Sequence, residues 1–296
     1  FAKNGSDLTT WAIRVAREQT GRPFVLKAKG AYHGVDAWCD PGFGGRLEED
    51  RTHILEFSWN SLDEFRNLLK SYANQISSVI LTPYHHAAFA PSILPTDKFW
   101  NVVEKECEKN GIILILDDVR AGGRLNEGGS HRYFNFTPDL SIYSKALGNG
   151  YAISACVGKE FLRNSSKEVF LTGSCWNDAV SMAAAFKSFE ISQRDKVAES
   201  VLKKGDYFSA GMVARANQLD LPLTMTGPSS MPYPWFEGDE NLFRIQKFCE
   251  LAAGKGLYFH PHHNWFISNA LDYNDLDQAI DLAAQAMIEL RDFEKS

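Results

Sequence analysis

Short apolar runs separated by amphipathic stretches dominate the first two thirds of the chain. The apolar runs predict buried strands at 24–26, 79–81, 112–116, 140–143 and 152–157. The amphipathic stretches predict helices at 6–20, 62–74, 98–109, 179–193 and 198–217. Strands that alternate with helices are typical of βαβ units, so we predict an α/β fold with a mostly parallel sheet covered on both faces.

The pattern changes after about Leu221, where four prolines punctuate a turn-rich stretch of some thirteen positions. The elements predicted beyond it are a helix at 240–254, short strands at 257–259 and 265–267, and a final helix at 273–293. We therefore predict two domains, a large one over residues 1–220 and a small C-terminal α+β domain over residues 221–296.

Composition narrows the class of protein. The chain has 296 residues, 44% of them hydrophobic, and a formal net charge of −6, which are values typical of a globular protein without the positive field that nucleic-acid binding needs. No apolar run approaches the ~20 residues that span a bilayer. The five cysteines are scattered without a C-x-x-C pair, which favours a reducing compartment over a disulfide framework. We expect a cytoplasmic protein that binds neither nucleic acid nor membrane.

The first residues carry no signal-peptide pattern, and the chain begins without methionine. We expect an N-terminal segment to precede Phe1, so an organelle address stays an alternative to the cytoplasm.

Two short motifs in the first forty residues could bind a ligand. Asn4-Gly5-Ser6-Asp7 comes immediately before the first predicted helix, where free N–H groups and the positive end of the helix dipole favour phosphate. Most such strings are only helix caps. Tyr32-His33-Gly34 follows the first strand, where an aromatic ring either stacks on a flat ligand or packs on the core.

Two further motifs follow predicted strands. Asp117-Asp118-Val119 stands at the carboxyl end of a buried strand, where open α/β sheets bind ligands. The paired carboxylates would also suit magnesium in a phosphatase-like enzyme, although no P-loop occurs. Lys145 lies among small and apolar neighbours beside glycines, where desolvation would make its amine a nucleophile for carbonyls. The alternative for Lys145 is a surface lysine beside a turn.

In this order the motifs resemble those of fold-type-I pyridoxal-phosphate (PLP) enzymes of the class-III aminotransferase family, near its glutamate-1-semialdehyde aminomutase branch. The segments that carry the resemblance are 4–7 (N-S-G-T-E in the family), 29–34 (G-x-Y-H-G), 116–124 (D-E-V-x-x-G-x-R), 139–150 (P-D-L…K-x-x-G-x-G) and 259–268. The resemblance spans essentially the whole chain, and it implies a large PLP-binding domain and an aminotransferase activity.

The resemblance also implies a role for each matched residue. Lys145 would bind PLP as a Schiff base and then move the substrate proton, while Asp117 would pair with the pyridine nitrogen and keep it protonated. The other residues implied to contact the cofactor are Gly5 and Ser6 at the phosphate, Tyr32 and Val119 at the two ring faces, and His33 in the tyrosine motif.

The family likewise implies a homodimer with shared active sites. In the segment 171–176, Ser174 is the best match to the hydroxyl residue that reaches the neighbouring subunit's phosphate, and Thr172 is a weaker candidate. Small-molecule amines or amino acids and carbonyl compounds would be the substrates.

Some residues depart from the family pattern. Thr82-Pro83-Tyr84 stands where the family has E-P-V, so the glutamate that supports the cofactor aspartate is missing. This departure and the expected missing upstream segment favour one alternative to a transaminase, a non-catalytic PLP-fold binding subunit. The other alternative is an intramolecular aminomutase, in which donor and acceptor carbons belong to one molecule. His85-His86 and 260–263 lack a metal-ligand spacing, so no metal is expected. Arg46 and Arg124 could each bind a carboxylate or form a structural ion pair.

Overall fold

The computed structural model describes residues 1–42, 44–87 and 89–295. The helices are α1 (Gly5–Thr20), α2 (Leu62–Ser71), α3 (Phe99–Asn110), α4 (Ser130–Tyr133), α5 (Arg163–Glu168), α6 (Ala179–Asp195), α7 (Val197–Asn217), α8 (Phe243–Ala253) and α9 (Tyr273–Glu294). The strands are β1 (Phe24–Ala28), β2 (Ile54–Phe57), β3 (Ile76–Leu81), β4 (Ile113–Asp117), β5 (Leu140–Tyr143), β6 (Ala155–Gly158), β7 (Leu223–Thr226) and β8 (Tyr233–Phe236).

The chain separates into two compact units. The first unit comprises Phe1–His85 and Pro95–Asp195, and the second comprises His86–Leu94 and Lys196–Ser296. This separation groups α7 with the second unit. The division into a PLP-binding domain over 1–220 and a small domain over 221–296 stays a prediction.

A six-stranded sheet in the order β2-β1-β3-β4-β5-β6 forms the centre of the first unit. The first five strands are parallel, and β6 runs antiparallel to β5. β3 and β4 are buried along their whole length, because helices cover the sheet on both sides and leave no solvent face. The predicted α/β class with a mostly parallel sheet is confirmed.

Two apolar cores lie on opposite faces of this sheet. On one face, Phe65 of α2 and Trp100 of α3 pack with Leu114, and the indole of Trp100 stacks on Phe136 at 3.8 Å. On the other face, α1 packs with Val25 and Ile115. Successive strand residues point to opposite faces, so the unbroken apolar runs of the sequence supply both cores at once.

α1 covers the face of the sheet on which Val25 and Ile115 lie. The residues at its two ends explain where the helix begins and where it stops. Asn4 caps the helix by accepting a hydrogen bond from the N–H of Asp7 at 3.2 Å. Gly21 ends it in the left-handed conformation at φ 66°. Ala2 and Ser154 exchange backbone hydrogen bonds of 2.8 and 3.0 Å, which ties the start of α1 to the chain entering β6.

The second unit is built from an antiparallel pair and helices around one core. β7 pairs with β8, and Phe208 of α7, Phe248 of α8 and Met287 of α9 pack in the same cluster. The strands predicted at 257–259 and 265–267 are wrong, since neither segment forms a strand in the structure. Trp265 and Ile267 still donate backbone hydrogen bonds to 232 and 230, which explains their strand-like pattern. In the described residues no helix is long and apolar enough to cross a membrane.

Candidate functional site

Asp117 and Lys145 lie at the same edge of the sheet. Asp117 is the last residue of β4, and it is in register with Ile142 of the neighbouring parallel strand β5. Lys145 follows β5 by two residues and has a φ of 45°, a left-handed conformation that is strained for a lysine and typical of functional positions. The carboxyl ends of two adjacent parallel strands therefore bring a carboxylate and an amine together, as ligand sites in such sheets require.

The Asp117 carboxylate is held by two hydrogen bonds. Its Oδ2 lies 2.8 Å from Nδ1 of His33, and its Oδ1 accepts from the N–H of Val119 at 3.2 Å. The His33 ring is buried and stacks on Trp38 at 6.3 Å. Each carboxylate oxygen has two lone-pair positions, so Asp117 keeps acceptor capacity for an N–H donor such as a protonated pyridine.

The Lys145 side chain is accessible to solvent, and its pKa is lowered. The residue is exposed, yet partial burial of its ammonium lowers its pKa, nearby Arg120 and Arg124 lower it further, and Asp117 opposes them. A lower pKa means a larger fraction of neutral amine, which is the nucleophilic form.

The start of α1 forms a tightly packed cradle beside these residues. A Cβ at Gly5 would lie 2.7 Å from Cγ2 of Val119, and a Cβ at Gly34 would lie 2.9 Å from the Ser6 side chain. The Ser6 hydroxyl accepts from the N–H of Val35 at 3.3 Å. α1 begins one residue before the predicted start at 6, so Asn4 is the N-cap and Ser6 lies in the first turn. Both glycines allow backbone to approach closely, as a phosphate cradle requires.

Tyr32 stands at the open side of this cradle, with 38% of the residue exposed. Burial raises the pKa of Tyr32, a hydrogen bond with the Ser6 side chain opposes that rise, and Asp117 contributes to it. These interactions place the phenol between the helix start and the carboxylate. The structure thus brings together all of the predicted cofactor residues except Ser174.

Ser174 lies in an exposed turn before α6. Within the described ranges it forms no hydrogen bond with the residues above, and Thr172 is likewise exposed. The turn is nevertheless tied to the cradle, because Lys3 contacts Asp178 at 3.3 Å and Asp178 also accepts from the N–H of Ser181 at 3.1 Å. Ser188 of α6 donates to the carbonyl of Ala146 at 3.3 Å, which links α6 to the turn that carries Lys145.

Thr82, at the position of the missing family glutamate, forms a local hydrogen bond. Thr82 is buried and donates to the carbonyl of Tyr84 at 2.8 Å. Tyr84 is fully buried. Burial raises its pKa to about 12, and the nearby Arg120 and Arg124 oppose the rise. Burial lowers the pKa of both arginines.

Arg120 was missed by the motif reasoning, although its position in the turn after the aspartate motif was a usable signal. Arg124, which the sequence singles out, lies in the same group near Lys145. Arg46 donates to the carbonyl of Gly42 at 2.7 Å.

Asp118 has a structural partner. Both of its oxygens accept hydrogen bonds from Ser130, one from the N–H at 2.8 Å and one from the hydroxyl. Asp118 is fully buried and holds the loop that follows β4, so its carboxylate is closed to a solvated metal ion, which argues against the magnesium alternative. Elsewhere in the described part of the chain, no group of three or more His, Cys, Asp or Glu side chains is arranged to hold a metal ion.

The family profile named "Aminotransferase class-III" matches residues 47–289. The chain belongs to the class-III aminotransferase family. The resemblance drawn from the motifs is confirmed, and so is the prediction of an enzyme of this type.

The curated relatives of this aminotransferase include aminotransferases and aminomutases. It is 37% identical to an aminopentol aminotransferase of Sphingopyxis macrogoltabida, over 99% of this chain and 70% of that protein. It is 33% identical to a 3-aminobutyryl-CoA aminotransferase of Cloacimonas acidaminovorans, over 98% and 71%. A glutamate-1-semialdehyde 2,1-aminomutase of Syntrophobacter fumaroxidans is 28% identical, over 99% and 73%.

The backbone matches a solved structure of the PLP internal aldimine form of the FumI protein of Sphingopyxis sp. MTA144, with a TM-score of 0.96 and 35% identity, over 99% of this chain and 71% of that one. The cofactor of this aminotransferase is therefore PLP. The chain's own residues fit PLP. The cradle at the start of α1 suits its phosphate, the Asp117 acceptor suits its pyridine nitrogen, and the accessible Lys145 amine suits its aldehyde.

The ionisation of Asp118 makes the free energy of unfolding of this aminotransferase depend on pH. Burial raises the pKa of Asp118 to about 7, Ser130 opposes the rise, and Asp117 adds to it. The folded chain then binds this proton more tightly than the unfolded chain between about pH 4 and 7. Ionisation of Asp118 thus reduces the free energy of unfolding as the pH rises through that window.

We expect Asp118→Asn to remove this loss, which amounts to about 3 kcal/mol between pH 5 and pH 8. Urea unfolding of the apoprotein at pH 5 and pH 8 measures it, and the variant should lose less stability than the wild type between the two. Ser130→Ala removes one opposing hydrogen bond, so its loss should be larger. Equal losses in all three proteins would contradict the assignment.

Proposed function

We propose that Lys145 and Asp117 are the central catalytic pair of this PLP-dependent aminotransferase, which moves an amino group from an amine donor to a carbonyl acceptor. The observation that carries the proposal is their convergence at the carboxyl ends of β4 and β5. PLP supplies an electron sink that stabilises negative charge at the substrate carbon. The residues of the chain then have to bind, orient and move one proton.

Each residue near the pair has a definite task in this proposal. Asp117 accepts a hydrogen bond from the pyridine N–H and keeps it protonated, and His33 fixes the direction of that carboxylate. Gly5 and Ser6 bind the phosphate at the start of α1, while Tyr32 and Val119 limit the ring from either side. Lys145, with its lowered pKa, takes the proton from the substrate carbon and returns it to the cofactor side.

The donor class we propose is an amine whose amino carbon carries no carboxylate. This rests on the named substrates of the two relatives above 30% identity, an aminopentol and a 3-aminobutyryl-CoA. The acceptor we propose carries a carboxylate, since Arg120 and Arg124 supply positive charge near Lys145. The second candidate is an aminomutase, which the relationship to glutamate-1-semialdehyde aminomutases favours.

We also propose a homodimer, with the exposed face of α6 as part of the interface. Val180, Phe186, Phe189 and Ile191 are all exposed, Phe186 at 74%. Exposed phenylalanines on one helix are typical of a protein interface. Ser174 lies five residues before the start of this helix, so a partner packed on α6 would receive the Ser174 hydroxyl near its own cradle. We further propose a cytoplasmic location and a division of labour between a PLP-binding domain over 1–220 and a small domain over 221–296.

We expect Lys145→Ala to lose covalent cofactor attachment. The wild type, loaded with PLP and reduced with borohydride, should carry a pyridoxyl group on Lys145 by peptide mass spectrometry, and the variant should not. Transamination should fall by at least about 100-fold, because the proton carrier is gone. The exposed Lys70→Ala is the matched control and should behave as wild type. Labelling of another lysine in the wild type would contradict the role of Lys145.

The donor class is tested with a panel of amino alcohols, β-amino thioesters, α-amino acids and amino-aldehyde acids. With pyruvate as acceptor, we expect alanine to form from the first two groups at rates at least about 10-fold above those from α-amino acids. Conversion of an amino-aldehyde acid alone, without any alanine, would instead establish the aminomutase.

The dimer is tested with Phe186→Glu, which places a charge in the proposed interface. We expect the dimer dissociation constant to rise by more than about 30-fold in sedimentation experiments, together with weaker PLP binding. Tyr258→Glu, another highly exposed aromatic position, is the matched control. A dimer unaffected by Phe186→Glu would contradict this interface.

A further inference from the structure

Lys27 is a buried lysine on β1, the strand next to the edge of the six-stranded sheet. It lies between β2 and β3, with only 2% of its side chain exposed. Its register partner on β2 is Glu56, and Nζ lies 2.7 Å from Oε1 of that residue. β2 is the edge strand, so Glu56 reaches water with 35% of its side chain exposed. Burying a charge is costly unless it is paired and hydrogen-bonded, so the other contacts of this ammonium decide what it does.

The remaining contacts of Lys27 are both with one turn. Nζ donates to the carbonyl of Ala31 at 3.2 Å and approaches that of Ala28 at 3.5 Å. Ala28 and Ala31 are the ends of a β-turn closed by a 3.1 Å backbone hydrogen bond, with Gly30 at φ 73° as its third residue. An ammonium has three N–H donors, and here one faces Glu56 and two face the two ends of the turn.

That turn leads directly into Tyr32 and His33. Downstream, the segment is fixed by Thr9, whose hydroxyl donates to the carbonyl of His33 at 2.6 Å, and by the His33–Asp117 hydrogen bond. Upstream, the contacts of Lys27 fix it at Ala31. The backbone of Tyr32 is therefore fixed on both sides, at Ala31 and at His33, although its own side chain is partly exposed.

We propose that Lys27 is a positioning residue, which sets the place of the Tyr32 ring against PLP by holding the turn 28–31, with Glu56 neutralising its charge. This inference rests on the proposed function, in which Tyr32 contacts the cofactor ring. The signal in the sequence was a single charged residue inside an apolar strand.

Substitutions at three positions separate the hydrogen bonds that Lys27 donates to the turn from the compensation of its charge. Lys27→Met keeps the buried volume but removes the donors to the turn. Glu56→Gln keeps a neutral acceptor for the ammonium and leaves its donors to the turn in place, so the lost counter-charge should lower the free energy of unfolding rather than move the turn. Gly30→Ala leaves Lys27 intact and strains the turn itself, since alanine disfavours a positive φ. Gly30 is exposed, so this variant preserves the core even if Lys27→Met fails to fold.

The experiment measures PLP affinity of the full chain by titration, the visible circular dichroism of the bound cofactor, and urea unfolding of the apoprotein. Each variant is made in the wild-type and in the Tyr32→Ala background. We expect Lys27→Met and Gly30→Ala to weaken PLP binding by about 10-fold and to reduce the dichroism. In the Tyr32→Ala background the same changes should have less than a 3-fold effect, and Glu56→Gln should stay within 3-fold in both backgrounds.

Two results would overturn the inference, and they are distinguishable. If Tyr32→Ala weakens PLP binding but Lys27→Met and Gly30→Ala act equally in both backgrounds, Lys27 has only a structural role. If Tyr32→Ala itself leaves affinity and dichroism unchanged, the proposed contact of Tyr32 with the cofactor is wrong, and the positioning role falls with it.

Discussion

The parallel pairing of β4 with β5 is the constraint on which the site depends. It is the register Asp117 to Ile142 that places an acid and, three residues past Ile142, an amine at one edge of the sheet. Both strands are buried on two faces, so a slip of one residue would turn apolar side chains from one core to the other. The two cores therefore specify the register, and the register specifies the distance over which Asp117 influences Lys145.

The same edge explains how the chain manages without the family glutamate at position 82. Thr82 satisfies its own hydroxyl on the carbonyl of Tyr84 and offers nothing to Asp117. The Asp117 carboxylate instead receives His33 and the Val119 N–H. These two hydrogen bonds, which come from separate segments of the chain, fix the plane of the Asp117 carboxylate.

Much of the first unit could be predicted from the sequence, because buried strands with two apolar faces leave unbroken runs such as 113–116. β2 was missed because its four residues include Glu56, the partner of a lysine on another strand, and a pattern along one segment carries no information on its neighbour. β7 and β8 were missed because prolines at 222 and 234 signal turns, while antiparallel pairs at a sheet edge tolerate them. The site motifs follow from local order, whereas the closeness of Arg120 to Lys145 and the pairing of Lys27 with Glu56 depend on segments that are distant in the sequence.

Lys27 and Asp118 reveal a shared solution to one physical problem. Loops at the carboxyl ends of strands carry the functional side chains, yet they bury little apolar surface that would fix them. In both cases a buried ionisable side chain near the end of a strand binds backbone groups of the following segment, carbonyls for the Lys27 ammonium and an N–H for the Asp118 carboxyl group. Backbone groups fix the main chain independently of the side chains it presents. A loop held in this way is free to vary its exposed residues, while Tyr32 and Val119 stay in place.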